Sequence, residues 1–488
     1  MKSCLLRAAF YLLFCLLTIP TVAARTIEFE TTKVAQADEV DDDIKAEMKK
    51  RQIPGLALAV VKNGKLIKAK GYGLANVELN VPVTPDSVFD LASITKQFTA
   101  TAIMMLVEEG KIGLDDKIGK YLCNAPDTWS GITVRHLLTH TGGLKNAFWP
   151  TLGGSGLMDY STAQSYEAAY KLPVDFPPGE RWQYSDQGYF LLGMIIEKAS
   201  GKRYEEFLRE RIFKPLGMTT TAVLAQNRWA VVKNRASGYT LRDGKLARNR
   251  RDDQSELASE GGLWSTVKDL AKWDAALYSE RILKKSSLDQ MWTPVKLNSG
   301  FNHNYGFGWS LNDIRGHRII GHGGGAGTYI FRLPDDGLTV IVLTNLHMFS
   351  GSSPLTIARG VAGRYISGLL LSSLKEQPDP DPQMTQKMRK VLSDIANGVK
   401  DSPLITPERN AALNPVYRRY IASASSLKEM KSFTFVACDD VQERRIDRFG
   451  VRVSRVCYYK LVNALDTRYL SFYLTVDNKV ADIRSSPE

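Results

Sequence analysis

Leu91-Ala92-Ser93-Ile94-Thr95-Lys96, followed by Phe98, Ala100, Ala102, Ile103, Met104, Met105, Leu106 and Val107, is the stretch on which the reading of this chain turns. Ser93 and Lys96 are three residues apart, so on a helix they share one face. The residues after Lys96 are apolar nearly all round, the pattern of a helix buried inside a protein. A polar pair at the head of such a helix costs free energy unless it has chemistry to perform. A serine hydroxyl is a weak nucleophile at neutral pH, and a lysine one turn away can take its proton if the amine's pKa is lowered.

The spacing alone is weak, because it recurs at Ser265/Lys268, Ser372/Lys375 and Ser425/Lys428. A capping serine with a solvated lysine accounts for an ordinary copy. Ser265 reads as the start of an amphipathic helix with Lys268 in solvent, and the last two copies lie in or beyond a linker. Context separates Ser93 from these. Working outward, Gly55 to Val61 and Leu66 to Gly71 flank Asn63-Gly64, a strong hairpin signal. The helix therefore follows an antiparallel hairpin, not the parallel strand of an α/β-hydrolase, and no G-x-S-x-G elbow occurs. An amphipathic segment from Ile44 to Arg51 precedes the hairpin as a helix.

Downstream, the turn Phe176-Pro177-Pro178-Gly179-Glu180 leads to Tyr184-Ser185-Asp186 and an apolar helix from Tyr189 to Ala199. A phenol and a carboxylate placed there can face a cleft, although a packed tyrosine and a helix-capping aspartate would read the same way. Gln226 to Glu256 reads as an Arg-rich surface insertion. Tyr305-Gly306-Phe307-Gly308-Trp309 reads as the start of a strand, continued at Arg318 to Gly321. His322-Gly323-Gly324-Gly325-Ala326-Gly327 then clusters glycines among strand signals, which marks close approach of a backbone or ligand. Such an edge can offer an N–H to a developing oxyanion, and a tight turn is the plain alternative.

The 488 residues, 44% apolar and 24% charged, are those of a globular protein with room for two or three domains. Lys2 and Arg7 precede an uncharged run ending in Thr21-Val22-Ala23-Ala24, the form of a secretory signal over residues 1–24. The expected setting is secreted, periplasmic or cell-envelope, with no integral membrane domain in the mature chain. The net charge of +12 falls by two on loss of Lys2 and Arg7. It is scattered rather than arrayed with aromatics, which argues against nucleic acid as a partner. His136 and His140 lack the intervening Glu of a zinc motif, so no metal is expected. Of the three cysteines beyond the leader, Cys438 and Cys457 either bridge or stay as buried thiols, and Cys123 is expected in the core.

In order and flanks, Ser93-Ile94-Thr95-Lys96, Tyr184-Ser185-Asp186 and His322-Gly323-Gly324 resemble the three active-site motifs of the serine β-lactamase and penicillin-binding-protein superfamily. The similarity is to its class C β-lactamase-like branch, with D-alanyl-D-alanine carboxypeptidases, D-aminopeptidases and family VIII carboxylesterases. Leu137-Leu138-Thr139-His140-Thr141, Leu216-Gly217-Met218 and Gly306-Phe307-Gly308-Trp309 are similar too. The resemblance implies an α+β fold of two lobes, an antiparallel sheet flanked by helices plus an all-helical lobe, over residues 39–370.

It also implies roles. Ser93 would be the acylated nucleophile, Lys96 would hold or relay its proton, and Tyr184 would be general base and then acid. The N–H groups of Ser93 and Gly325 would form the oxyanion hole, with Gly324, His322 and Asp186 beside the substrate. No cofactor is implied. The expected substrate is a small molecule, peptide or ester, cell-wall material included. Two departures stand out. Asp186 occupies a position usually held by Asn, and a carboxylate there favours a charged Lys96. His322 replaces the lysine of many relatives and would be charged only in part near neutral pH. Both weaken the case for a dedicated β-lactamase and favour an esterase or a D-amino-acid peptidase. An inactive binding protein on the same fold is the reading of a different class.

The Pro/Asp-rich run at residues 371–383 reads as a linker to a small α+β domain at 384–488. Its helices are expected at Met384 to Ala396 and Pro407 to Ala422. Strands are expected at Ser432 to Cys438, Val451 to Val462, Tyr469 to Val476 and Lys479 to Ile483. It carries no catalytic constellation.

Overall fold

A computed structural model describes residues 39–145, 161–223, 231–249, 257–374, 377–399, 401–412, 430–441, 447–448, 451–463 and 467–486. The leader at 1–24 lies outside the described residues, as do the rest of the helix expected beyond residue 412 and the Ser425/Lys428 pair.

The hairpin is β1 (Gly55–Lys62) and β2 (Lys65–Asn76), turning on Asn63 and Gly64, both at positive φ. Around it lies a seven-stranded antiparallel sheet with β3 (Val81–Pro82), β4 (Ser310–Ile314), β5 (His317–Gly324), β6 (Thr328–Leu333) and β7 (Leu338–Thr344). The order is β4-β5-β6-β7-β1-β2-β3. Both faces of β1 are buried: Ala57, Ala59 and Val61 join one core, while Leu56, Leu58 and Val60 join another. This is why the strand reads as an unbroken apolar run instead of an alternating one.

Helix α1 (residues 39–51) and a C-terminal helix, Pro354–Tyr365, cover the second core. On the other face lies α2 (Thr95–Glu108), buried from Thr95 to Leu106. Helices α3 (Val134–Leu138) and α4 (Asp186–Ser200) of the helical lobe pack with it around the first core. The architecture is mixed α and β, an antiparallel sheet with helices, followed by a smaller sheet domain. No helix among the described residues is long and apolar enough to cross a membrane.

Several expectations need correction. Tyr305 to Trp309 is a loop, and the strand begins at Ser310. A Cβ on Gly308 (φ +75°) would come 2.6 Å from the Lys96 carbonyl oxygen, so this loop is moulded to the helix rather than paired in the sheet. Ser265 ends a short strand, and Thr266 caps the following helix; Lys268 lies at the surface, paired with Asp86. The segment read as a surface insertion is partly built in, since Tyr239 is buried and its hydroxyl accepts from Val77 N–H. Asp186 does not cap α4; the Ser185 side chain does, accepting from Gly188 N–H. Cys123 is exposed, not core.

The smaller domain is a meander of β8 (Ser432–Asp440), β9 (Arg455–Val462), β10 (Thr467–Leu474) and β11 (Val480–Ser486). Helix α5 here is Pro382–Ala396, whose Met388, Val391 and Ile395 pack with Phe433, Tyr459 and Phe472. The last residues of the Pro/Asp run start this helix, with Asp381 as N-cap and Pro382 in its first turn. Arg315 of the larger domain forks onto Asp439, and Arg484 donates to Asn312. Of the two readings of the cysteines, the bridge is the one formed: Cys438 and Cys457 face each other on β8 and β9. Closing a loop of this size contributes about 3 kcal/mol. Reduction, or Cys457→Ser, should lower the unfolding free energy of this domain by that amount, read by chemical unfolding with and without reductant.

Candidate active site

The nucleophile-bearing turn is held from three sides. Leu91 N–H donates to the Leu263 carbonyl, Thr328 Oγ1 donates to the Leu91 carbonyl, and Asp90 Oδ1 accepts from Ala92 N–H at 2.8 Å. Ala92, immediately before Ser93, sits at φ +45°, a conformation that costs an L-residue about 1–2 kcal/mol and persists because those bonds enforce it. Gly324 of β5 explains the glycine cluster: a Cβ there would lie 2.1 Å from the Leu91 carbonyl oxygen. Only a bare backbone lets the strand end approach this turn, and it carries Gly325 with it.

Lys96 is fully buried at the head of α2. Its ammonium donates to Asp186 Oδ1 at 2.6 Å, to the Glu260 carbonyl at 2.7 Å and to Ser93 Oγ at 3.3 Å. Three acceptors match the three N–H groups of a protonated amine. Burial opposes the charge most strongly, yet the Asp186 carboxylate and Tyr184 together outweigh it and raise the Lys96 pKa above its ordinary value. The Tyr184 ring lies 4.8 Å from Lys96 Nζ. Burial lifts the Tyr184 pKa, against the pull of the Lys96 charge. In the resting site, then, Lys96 is an ammonium and Tyr184 a neutral phenol.

His322 is also brought into this cluster, its ring 6.3 Å from that of Tyr184. The expectation of a partly charged imidazole is corrected: burial first, then the Lys96 charge, push its pKa down to about 4. Hydrogen bonds assign the tautomers. Ser185 N–H donates to His140 Nδ1 (3.1 Å), so the His140 proton is on Nε2, facing Tyr305 Oη at 3.1 Å. His322 Nδ1 faces the Gly323 carbonyl at 2.7 Å and must donate, so Nε2 accepts from Tyr305 Oη at 2.9 Å. A directed chain thus runs from Ser185 through His140 and Tyr305 to His322, with both imidazoles neutral. The sequence reading missed Tyr305 and Glu260, and weighed His140 only as a metal ligand. The recurrent wording around Leu137 to Thr141 and Tyr305 to Trp309 was the available signal.

This chain has a pH consequence. An unfolded histidine titrates near 6.5 and folded His322 near 4. Between those values the unfolded chain binds the extra proton, so stability is full above pH 6.5 and is lost as pH falls to about 4. The loss is on the order of 3 kcal/mol. Melting temperatures from pH 7 to 4 should fall less steeply in His322→Asn than in the parent.

These features define a serine-nucleophile site between an antiparallel sheet and a helical lobe. A family model described as Beta-lactamase matches residues 40–354, and the chain belongs to that family, within the serine β-lactamase and penicillin-binding-protein superfamily. The chain is 34% identical over 316 residues to penicillin-binding protein 4* of Bacillus subtilis, covering 61% of this chain and 69% of that one. In structure it is similar to an octameric penicillin-binding protein homologue from Pyrococcus abyssi, with a TM-score of 0.59, 25% identity, and 93% and 98% of the two chains covered. It is also similar to the D-amino acid amidase of Ochrobactrum anthropi SV3, with a TM-score of 0.58, 26% identity, and 67% and 98% covered. Family and neighbours alike point to a serine hydrolase.

Proposed function

We propose that the protein is an exported hydrolase that cleaves an ester or a D-amino-acid amide through an acyl-serine intermediate. The observation that carries this is the Lys96 ammonium held jointly by Ser93, Asp186 and the Glu260 carbonyl. Ser93 Oγ attacks the substrate carbonyl. Its proton passes to Lys96 Nζ as Lys96 releases one to Asp186, the carboxylate it already donates to. This differs from the expectation that Tyr184 is the first base. The N–H groups of Ser93 and Gly325 receive the oxyanion. On collapse, Tyr184 Oη–H protonates the leaving group and regains a proton from the Lys96–Asp186 pair. Water then repeats the sequence on the acyl-enzyme.

A neutral His322 gives no fixed cation for a β-lactam carboxylate, which ranks ester and D-amino-acid amide above β-lactam. The basic, apolar leader and the Cys438–Cys457 bridge support export; protein recovered from the envelope with Arg25 as its first residue checks it. Treatment with a fluorophosphonate should add one adduct by intact mass, mapping to the Ser93 peptide. Turnover of a nitrophenyl ester and a D-amino-acid amide should exceed that of nitrocefin. Absence of the adduct would overturn the acyl-serine reading, and faster nitrocefin turnover would reverse the ranking.

A further inference from the structure

One end of the β5 edge lacks a cation because His322 is neutral; the other end has one. From His322 the strand runs on to Gly324, and the chain then turns through Gly325 and Ala326, Gly327 N–H donating to the Gly324 carbonyl. There a cavity of about 580 Å³ opens between the strand end and the segment around 235–249. Its wall includes Asp90, three residues before Ser93, and Ala326, next to Gly325. Three residues reach at most about 10 Å, so this wall lies within that span of Ser93, and it adjoins the oxyanion glycine through Ala326.

Most polar groups of the wall are already engaged. Arg248 pairs with Glu78, Ser237 Oγ accepts from Asn76, and Asn345 holds Gly55 N–H and the Leu74 carbonyl. Arg235 is different. Its guanidinium lies 4.4 Å from the Trp264 ring centroid, and among the described residues it meets no carboxylate. Stacking uses the guanidinium face and leaves its N–H edge able to fork onto a carboxylate. Asp90 borders the cavity at the Ser93 end, where its charge disfavours an anion close to the scissile bond.

We propose that this cavity is the subsite for acyl groups ending in a distal carboxylate, held by Arg235 on Trp264. The assignment rests on the acyl-serine reading above and narrows its substrate class. The test pairs mono-nitrophenyl glutarate with nitrophenyl valerate, equal in acyl carbon count and differing in the terminal carboxylate. The glutarate-to-valerate ratio of kcat/KM should drop about tenfold in Arg235→Gln, mainly through KM, and should shrink with added salt. An unchanged ratio in a variant that melts like the parent overturns the proposal. Ligand-observed NMR of glutarate on Ser93→Ala reads the subsite without chemistry. Its signal should vanish when Arg235→Gln is added, and an equal signal in both proteins also overturns the proposal. Arg235-dependent glutarate binding with neither ester hydrolysed would sink the acyl-serine reading and leave the subsite standing.

Discussion

Ser93→Ala should reduce ester hydrolysis by roughly 10⁴- to 10⁶-fold and abolish the covalent adduct. The effect is this large because every later step, leaving-group protonation by Tyr184 included, needs the bond that Ser93 Oγ forms. Lys96 donates to it, and the strained Ala92 aims it. With a methyl group in its place these groups have nothing to activate, and what remains is binding and oxyanion stabilisation. The fold should persist, since Ser93 is half-buried and Lys96 keeps two of its three acceptors. Turnover in Ser93→Ala equal to the parent, with an unchanged melting temperature, would remove the serine from the chemistry.

Lys96→Met should lower kcat by roughly 10³- to 10⁴-fold, the scale of losing the group that handles the proton. It should also cost about 2 kcal/mol of stability, because Asp186 loses its cation in a partly buried setting and the Glu260 carbonyl loses its donor. Asp186→Asn separates the two roles. Without the carboxylate, burial is opposed by Tyr184 alone and the Lys96 pKa falls from its value in the parent, so the amine can become the base directly. The pH profile of kcat/KM should then gain a rising limb set by Lys96 deprotonation, at a pH below the ordinary lysine range. A profile identical to the parent's would exclude Asp186 from proton handling.

The His140–Tyr305–His322 chain gives the third motif a different character from a lysine-bearing one. A lysine projects a charge. Neutral His322 instead accepts one hydrogen bond from Tyr305 and donates one to the Gly323 carbonyl, which fixes the β5 edge without adding to its field. Positive charge therefore lies inside the cluster, at Lys96, and beyond the glycine edge, at Arg235.

Much of this was legible in the linear sequence. Asn63-Gly64 between apolar runs fixes a hairpin because few other residues tolerate positive φ twice in succession. A run of this length after Lys96, apolar nearly all round, reads as a helix enclosed on every side. Motif order marked Ser93, Lys96 and Tyr184 as one cluster, since local wording around a buried polar group is constrained by the group itself. The tertiary structure decided the rest. That Tyr305 to Trp309 is a loop depends on Gly308 meeting the Lys96 carbonyl, a contact between residues over two hundred apart. That His322 is neutral depends on burial and on the charge of Lys96. Protonation states, tautomers and the lone stacking of Arg235 on Trp264 arise from distances in space, and a residue's spacing along the chain does not encode the dielectric around it.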